Sequence, residues 1–301
     1  MNFDLIKKME AVEIKADNRI SDADRRCCEA HQQAYHKAKT ALEQMAAQWK
    51  DIFQQQREIL EPFTEEKYAQ DKYVKIAHIS SDDFKEKINE LPAAFIDQLV
   101  GYFNRTYRVS INTCTIKEVL LPQRPDRYSY DSYKEAEKEY ERRMKELLLT
   151  YKEVLEQIFI QLEGRTFAER ALDEIKENCH TAAWNTYNGK AEFEVKNDTI
   201  RFAGYFCSFD QWLSREKWSV TDSMKSILRG LSAFETGMVG SYPQNIALLL
   251  SYDDKNFSAC DFTDCTKVSQ LRMFKNHRVD IKFANKEFAE QFVDEYLGRI
   301  C

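Results

Sequence analysis

Apolar side chains recur at alternating steps of three and four from Cys28 to Ile59. The series Cys28, His31, Tyr35, Ala38, Leu42, Met45, Trp49, Ile52, Gln56 and Ile59 is apolar or aromatic at eight of its ten positions. That is the spacing of a helix that packs along a seam against another helix. Ser21, followed by Asp22 and Asp24, supplies an N-cap and first-turn acids. No Gly or Pro interrupts the chain from there to Leu60, and Pro62 stops the pattern. The pattern predicts one helix over Asp22–Leu60, whose 39 residues span roughly 58 Å at 1.5 Å each. A small domain is narrower than that, so the stripe requires a second long helix.

Residues 132–162 supply a candidate. This stretch also lacks Gly and Pro, and Gly164 follows as a C-cap. Its seam runs through Tyr133, Tyr140, Met144, Leu147, Tyr151, Val154 and Ile158, with Leu148, Leu155, Phe159 and Leu162 widening it. On the polar side Glu139 precedes Arg143, and Glu141 precedes Lys145, by four residues, the favourable order on a solvated helix face. The expected pairing seam joins Tyr35, Leu42, Met45, Trp49 and Ile52 to Tyr140, Met144, Leu147 and Tyr151. Spacing leaves open whether these helices pair within one chain or between copies.

Shorter elements are expected between them. Helices are predicted from Ser81 to Glu90 and, opened by Pro92, from Ala93 to Asn104. Strands are predicted over Tyr107–Ile111 and Thr115–Leu120, both rich in β-branched and aromatic residues. A proline-punctuated loop follows from Leu121 to Arg127, and a further helix from Thr166 to Trp184. The tail changes period. Ala191–Val195 and Thr199–Phe206 alternate around Lys196-Asn197-Asp198, and Ser269–Phe274 and Arg278–Phe283 flank Lys275-Asn276-His277. Both read as hairpins. A helix over Ser223–Phe234 lies between them. A last helix, capped by Asn285, carries Phe288, Phe292 and Tyr296 on one face.

The fold class is therefore mainly α, with long antiparallel helices forming an arm or coiled-coil-like pair and a C-terminal α+β domain of hairpins and helix. The expected division is a helical arm over 1–66, a helical middle region over 67–185 that carries the second long helix (132–162), and the α+β domain over 186–301. Composition agrees. The 8 Gly and 5 Pro are about 4% of the chain against roughly 12% in average proteins, too few for a many-turned sandwich or barrel. Nineteen Phe and 15 Tyr are too many for a disordered chain. A net charge of −6 gives no whole-molecule attraction to nucleic acid or acidic membrane. No apolar segment follows Lys7 and Lys8 and no membrane-length run occurs, so eight cysteines are expected as reduced thiols in a cytoplasmic protein.

Candidate chemistry is sparse. No glycine-rich phosphate loop occurs, and Gly237-Met-Val-Gly240 reads as a turn after a helix. Cys27, Cys28, His31 and His36 lie on one helix and lack a second ligand pair, and Cys260 and Cys265 have no nearby histidine partners, so no metal or cofactor is expected. Cys179 and His180 are helix neighbours whose side chains diverge, so they form no dyad with each other. Glu194-Val195-Lys196 and Asp280-Ile281-Lys282 each put an acid and a lysine on one strand face, as some metal-dependent nucleases do. An ordinary solvent face produces the same text. Arg272, Lys275, Arg278 and Lys282 form a basic patch in the last hairpin, suited to phosphate or to an acidic protein surface, or balanced by acids of the following helix.

Met273–Phe283, followed by Phe288–Leu297 and preceded by Ile227–Ser232, resembles an uncharacterised domain family of phages and bacterial mobile elements, often linked to DNA methyltransferases. In size, and in joining a helical arm to an end domain, the chain is also similar to phage Gabija anti-defence proteins. These likenesses imply a non-enzymatic, homo-oligomeric binding factor that blocks a bacterial anti-phage defence complex in the cytoplasm of the host cell, with no membrane partner. The alternatives are a DNA-binding accessory protein using the basic hairpin and a divergent metal-dependent nuclease.

Overall fold

The computed structural model describes residues 19–63, 81–125, 133–185, 187–212 and 215–298. Residues 1–18, including Lys7 and Lys8, and 126–132, where the proline-punctuated loop ends and the second long helix was expected to start, lie outside the described residues. The protein is mainly α-helical with a C-terminal α+β region. Its contacts define two units, residues 1–106 with 111–164, and 107–110 with 165–301. The second unit therefore takes in the helix over 167–183, which the sequence placed in the middle region.

In the first unit, α1 runs unbroken over Asp22–Leu60. Ser21 and Asp24 close a capping box at its start: Asp24 N donates to Ser21 Oγ at 3.1 Å and Ser21 N donates to Asp24 Oδ2 at 3.0 Å. The other oxygen of this buried carboxylate accepts from the Tyr102 hydroxyl at 2.7 Å, and that hydrogen bond, with burial, pushes the Tyr102 phenol up to about 12. Tyr102 lies on α2, Ser81–Tyr107. Tyr35 stacks on Phe95 of the same helix with ring centroids 4.8 Å apart. The Asp24–Tyr102 and Tyr35–Phe95 contacts make α1 and α2 antiparallel.

Pro92 does not divide α2 in two, contrary to the sequence expectation. Proline fits helical φ and removes one backbone donor. Burial of Phe95, Ile96, Leu99, Val100 and Phe103 just beyond it outweighs that loss. The two strands expected over Tyr107–Ile111 and Thr115–Leu120 are also absent. Residues 108–112 are irregular, and Thr113–Leu120 is a helix, α3. Asn112 caps it, its side-chain oxygen accepting from Cys114 N and Thr115 N, and Ile116 is buried. The cap and the core contact override the β preference of the residues.

The second long helix (132–162) is broken. Its halves are α4, Tyr133–Glu146, and α5, Tyr151–Gln161. Thr150 starts α5 with its own capping box to Glu153. Leu149 turns inward and is buried. The backbone groups released by the break are taken up by one stripe of α1. The Lys39 ammonium donates to the Lys145 carbonyl at 3.0 Å and to that of Leu147. His36 Nε2 lies 3.2 Å from Leu149 O, and Tyr151 N donates to Gln32 Oε1 at 2.7 Å. Only about 6% of Lys39 is exposed, so solvent does not substitute for it. Lys39→Met keeps the packing but leaves both carbonyls unpaired. We expect a loss of about 3 kcal/mol in urea unfolding followed by Trp49 fluorescence.

In the second unit, α6 (Phe167–Ala183) precedes strands β1 (Phe193–Lys196) and β2 (Thr199–Phe202), then a separate hairpin of β3 (Cys207–Trp212) and β4 (Arg215–Val220). Helices α7 (Asp222–Thr236) and α8 (Gln244–Leu250) follow, then β5 (Ala259–Asp261), β6 (Val268–Met273) and β7 (Val279–Phe283). The last helix, α9 (Lys286–Phe292), ends in a wider π turn, Val293–Leu297. The main sheet is antiparallel, in the order β1-β2-β7-β6-β5. Ile200, Phe202, Leu271, Met273, Val279, Ile281 and Phe283 are buried in one core with α7 and the last helix. Phe234 of α7 sits among Phe283, Phe288, Phe292 and Tyr296, with centroids 5.5–6.3 Å away. The phenylalanine and tyrosine repeat of the last helix is thus the face that packs.

Glu235, at the end of α7, fastens the approach to β6. It accepts from Thr266 Oγ1 at 2.7 Å, Lys267 N at 2.9 Å and Val268 N at 3.3 Å. Burial raises its carboxyl, but these donors outweigh burial and hold it below the usual carboxylate range. A depressed folded value means its stabilisation is complete above the unfolded value of about 4.3 and is lost as pH falls through the folded value. Thermal unfolding of Glu235→Gln is therefore expected to fall less steeply below about pH 4.3 than that of the parent protein.

Candidate functional site

Two surfaces of different character stand out, one in each unit. In the first unit, α1 changes character after Lys39. Its buried residues are Asp24, Cys28, Tyr35 and Lys39, and none of the 21 residues from Thr40 to Leu60 is buried. The seam nevertheless continues through them. Leu42 and Trp49 are half-buried, whereas Met45 is 52% exposed, Ile52 50% and Ile59 69%. Phe63, in the turn that follows, is 84% exposed. In heptad terms Leu42, Trp49 and Gln56 take position a, Met45, Ile52 and Ile59 take d, and Ala46, Phe53 and Leu60 take e. That a/d/e stripe is wider than a two-stranded seam. Position g, on one border, holds Ala41, Gln48 and Gln55, whereas position b, on the other, holds Glu43, Lys50 and Arg57.

Of the residues expected to pair with it, Met144 and Tyr151 are buried and Tyr140 and Leu147 are half-buried, all in the first unit. Pairing within the first unit is real along the first half of α1. The contacts run from Arg19 against Phe159, through Gln32 with Tyr151, to Lys39 with Lys145 and Leu147. They are antiparallel. Tyr35 therefore belongs to the core, whereas Met45 and Ile52 face outward.

In the second unit, the sheet face away from the helices is charged. Glu194, Arg201, Asp280 and Arg272 stand in one cross-strand row. Arg201 lies between the two acids, 2.9 Å from Glu194 Oε1 and 3.4 Å from Asp280 Oδ1. Lys196 reaches Glu194 at 3.1 Å, and its hydrogen bond is the largest influence holding that carboxyl below the usual range. The two acid–lysine pairs do share this face, but a guanidinium occupies the space between their carboxylates. Among the described residues no group of three or more His, Cys, Asp or Glu is placed to hold a metal ion.

The basic patch is partly neutralised. Lys275 pairs with Glu216 at 2.9 Å, Arg278 with Asp280 at 3.1 Å, and Lys282 approaches Asp198 at 3.9 Å. Among the described residues, Arg272 makes no ion pair. Instead Arg272 and Arg278 both lie over Phe274, their guanidinium carbons 5.3 and 3.8 Å from its ring centroid. Lys275 lies 4.3 Å from the centre of Phe209. Phe209 and Glu216 come from the β3–β4 hairpin, which the sequence reading missed; polarity alternates there only over residues 207–210.

Burial disfavours the thiolate form of five described cysteines. Burial pushes Cys179 up to about 12, and burial with nearby Glu235 and Asp264 does the same to Cys265. Cys27, Cys207 and Cys260 are raised too, in each case chiefly by burial. His180 stacks on Trp184 with centroids 5.6 Å apart. No helix among the described residues is long and apolar enough to cross a membrane. In comparisons with protein-family models, curated proteins and solved structures, the chain has no significant match.

Proposed function

We propose that this protein is a non-enzymatic binding factor that assembles with copies of itself through the second half of α1. The observation that carries this reading is the exposure of Met45, Ile52 and Ile59, which continue the apolar seam along the second half of α1. A helix of that length is marginal in water by itself, because nucleation is costly and most helical stability comes from packing an apolar face. A second copy supplies a matching stripe about 32 Å long. One border of the stripe is uncharged and the other mixes signs, with Glu43, Lys50 and Arg57, so no run of like charge flanks the contact. The target we propose for the assembled protein is a bacterial defence complex, on the strength of the likeness to phage anti-defence proteins.

Hydrogen exchange of residues 40–60, followed against protein concentration, tests the assembly. The expected result is strong protection at high concentration that fades on dilution, while residues 22–39 keep theirs throughout. Protection of residues 40–60 that does not depend on concentration would contradict the reading.

A further inference from the structure

The turn of the β6–β7 hairpin gathers flat and cationic side chains at the protein surface. Phe274, Lys275, Asn276 and His277 form it, with Phe274 N bonded to Arg278 O and His277 in the left-handed region at φ 68°. The Arg278 guanidinium is laid against one ring, Phe274, with Arg272 beside it. Tyr205 is 61% exposed, and its ring centroid is 4.6 Å from that of His277. His277 Nδ1 lies 3.0 Å from the Cys207 carbonyl, an acceptor only, so Nδ1 carries the proton and the ring is held in place.

We propose that this turn is a stacking site for the unpaired bases of single-stranded nucleic acid. Bases stack on arginine guanidinium planes and on exposed aromatic rings such as Tyr205 whatever their sequence. Arg272, Lys275 and Arg278 are the cations in reach of the intervening phosphates. Bases inside a duplex are already stacked on each other and do not reach these planes. An acidic protein surface would use the cations but have no need of Tyr205 and Phe274, which favours nucleic acid as the occupant. The proposal is independent of the pairing of α1.

The test is fluorescence anisotropy of a labelled oligothymidylate titrated with the full chain. Three phosphate contacts on a single strand give a slope of about −2 in log affinity against log salt, or about a 16-fold loss between 50 and 200 mM. Phe274→Leu and Tyr205→Leu, which keep bulk but remove the aromatic plane, are each expected to weaken binding about tenfold. Arg272→Gln should lower the salt slope by about 0.7. Tyr205 is exposed, so Tyr205→Leu carries the test even if Phe274→Leu unfolds the protein. Absence of binding at millimolar protein would overturn the proposal. So would a duplex or polyglutamate binding as tightly as oligothymidylate, or unchanged affinity in Tyr205→Leu.

Discussion

Ile52→Asp is expected to convert the assembled protein to a monomer while leaving its fold intact. Ile52 is at the middle d position of the exposed part of α1, between Met45 and Ile59, and is half exposed in the single chain. Burying a side chain of this size against a partner contributes about 1.5–3 kcal/mol, and an unpaired carboxylate in the same place adds a desolvation cost of several more. Together these correspond to association weaker by at least a hundredfold, since about 1.4 kcal/mol is a factor of ten. Ile52 is already half exposed, so the helical signal and the unfolding of the C-terminal unit should not change. Asp51→Lys, on the opposite side of the same helix, provides the comparison and should keep the assembled mass. A monomer from Asp51→Lys, or an unchanged assembly from Ile52→Asp, would mean that the stripe is not the contact.

Gly230→Ala should destabilise the C-terminal unit by about 2 kcal/mol, the cost of forcing a methyl group into a packed crossing. By helix propensity alone the same change would stabilise α7 by nearly 1 kcal/mol, so the sign of the result separates packing from propensity. A Cβ at this position falls 2.3 Å from Cys179 Sγ and 3.3 Å from Tyr296. Cys179 is fully buried, and its thiol donates to Ser226 O at 3.2 Å, which limits its escape. The account also predicts rescue. Cys179→Ala costs about 1 kcal/mol alone but makes room for the methyl, so the double variant should be close to Cys179→Ala rather than to the sum. Urea unfolding of the four proteins, read by Trp184 and Trp218 fluorescence, measures that coupling. Additive losses would show that helix α6 does not press on Gly230.

The sequence stated the helical parts well where local signals and burial agreed. Ser21, Asp24 and the unbroken stripe announce α1 because capping and periodicity are both local. The break at Leu147–Thr150 was hidden, since Leu147-Leu148-Leu149 continues a helical pattern and Thr150 is read as a cap only once Lys39, His36 and Gln32 are known to receive the freed backbone groups. Those residues are more than a hundred positions away. Thr113–Leu120 failed for a related reason: its β-branched residues suit a strand, and only the Asn112 cap and the inward Ile116 make it a helix. In the tail, the hairpin closed by Lys275-Asn276-His277 was readable from alternation. The pairing of β2 with β7, from Ile200 to Ile281, was not, because it joins residues about eighty apart.

The candidate surfaces were legible to different degrees. The seam from Cys28 to Ile59 was visible as a pattern, but that its first half packs against α4 and α5 was not. The basic hairpin was visible as a run of charge, yet its acids are spread over Asp198, Glu216 and Asp280, and its aromatic neighbours Tyr205 and Phe209 arrive from another hairpin. Charge counted along one segment overstates a patch whose counter-charges come from elsewhere in the fold.

The most direct test of the central claim is the mass of the full chain in solution, measured by light scattering behind a sizing column. At about 100 μM protein, enough to saturate contacts of micromolar Kd, the account predicts a whole-number multiple of 35.5 kDa greater than one. A single species of 35.5 kDa at that concentration would contradict it.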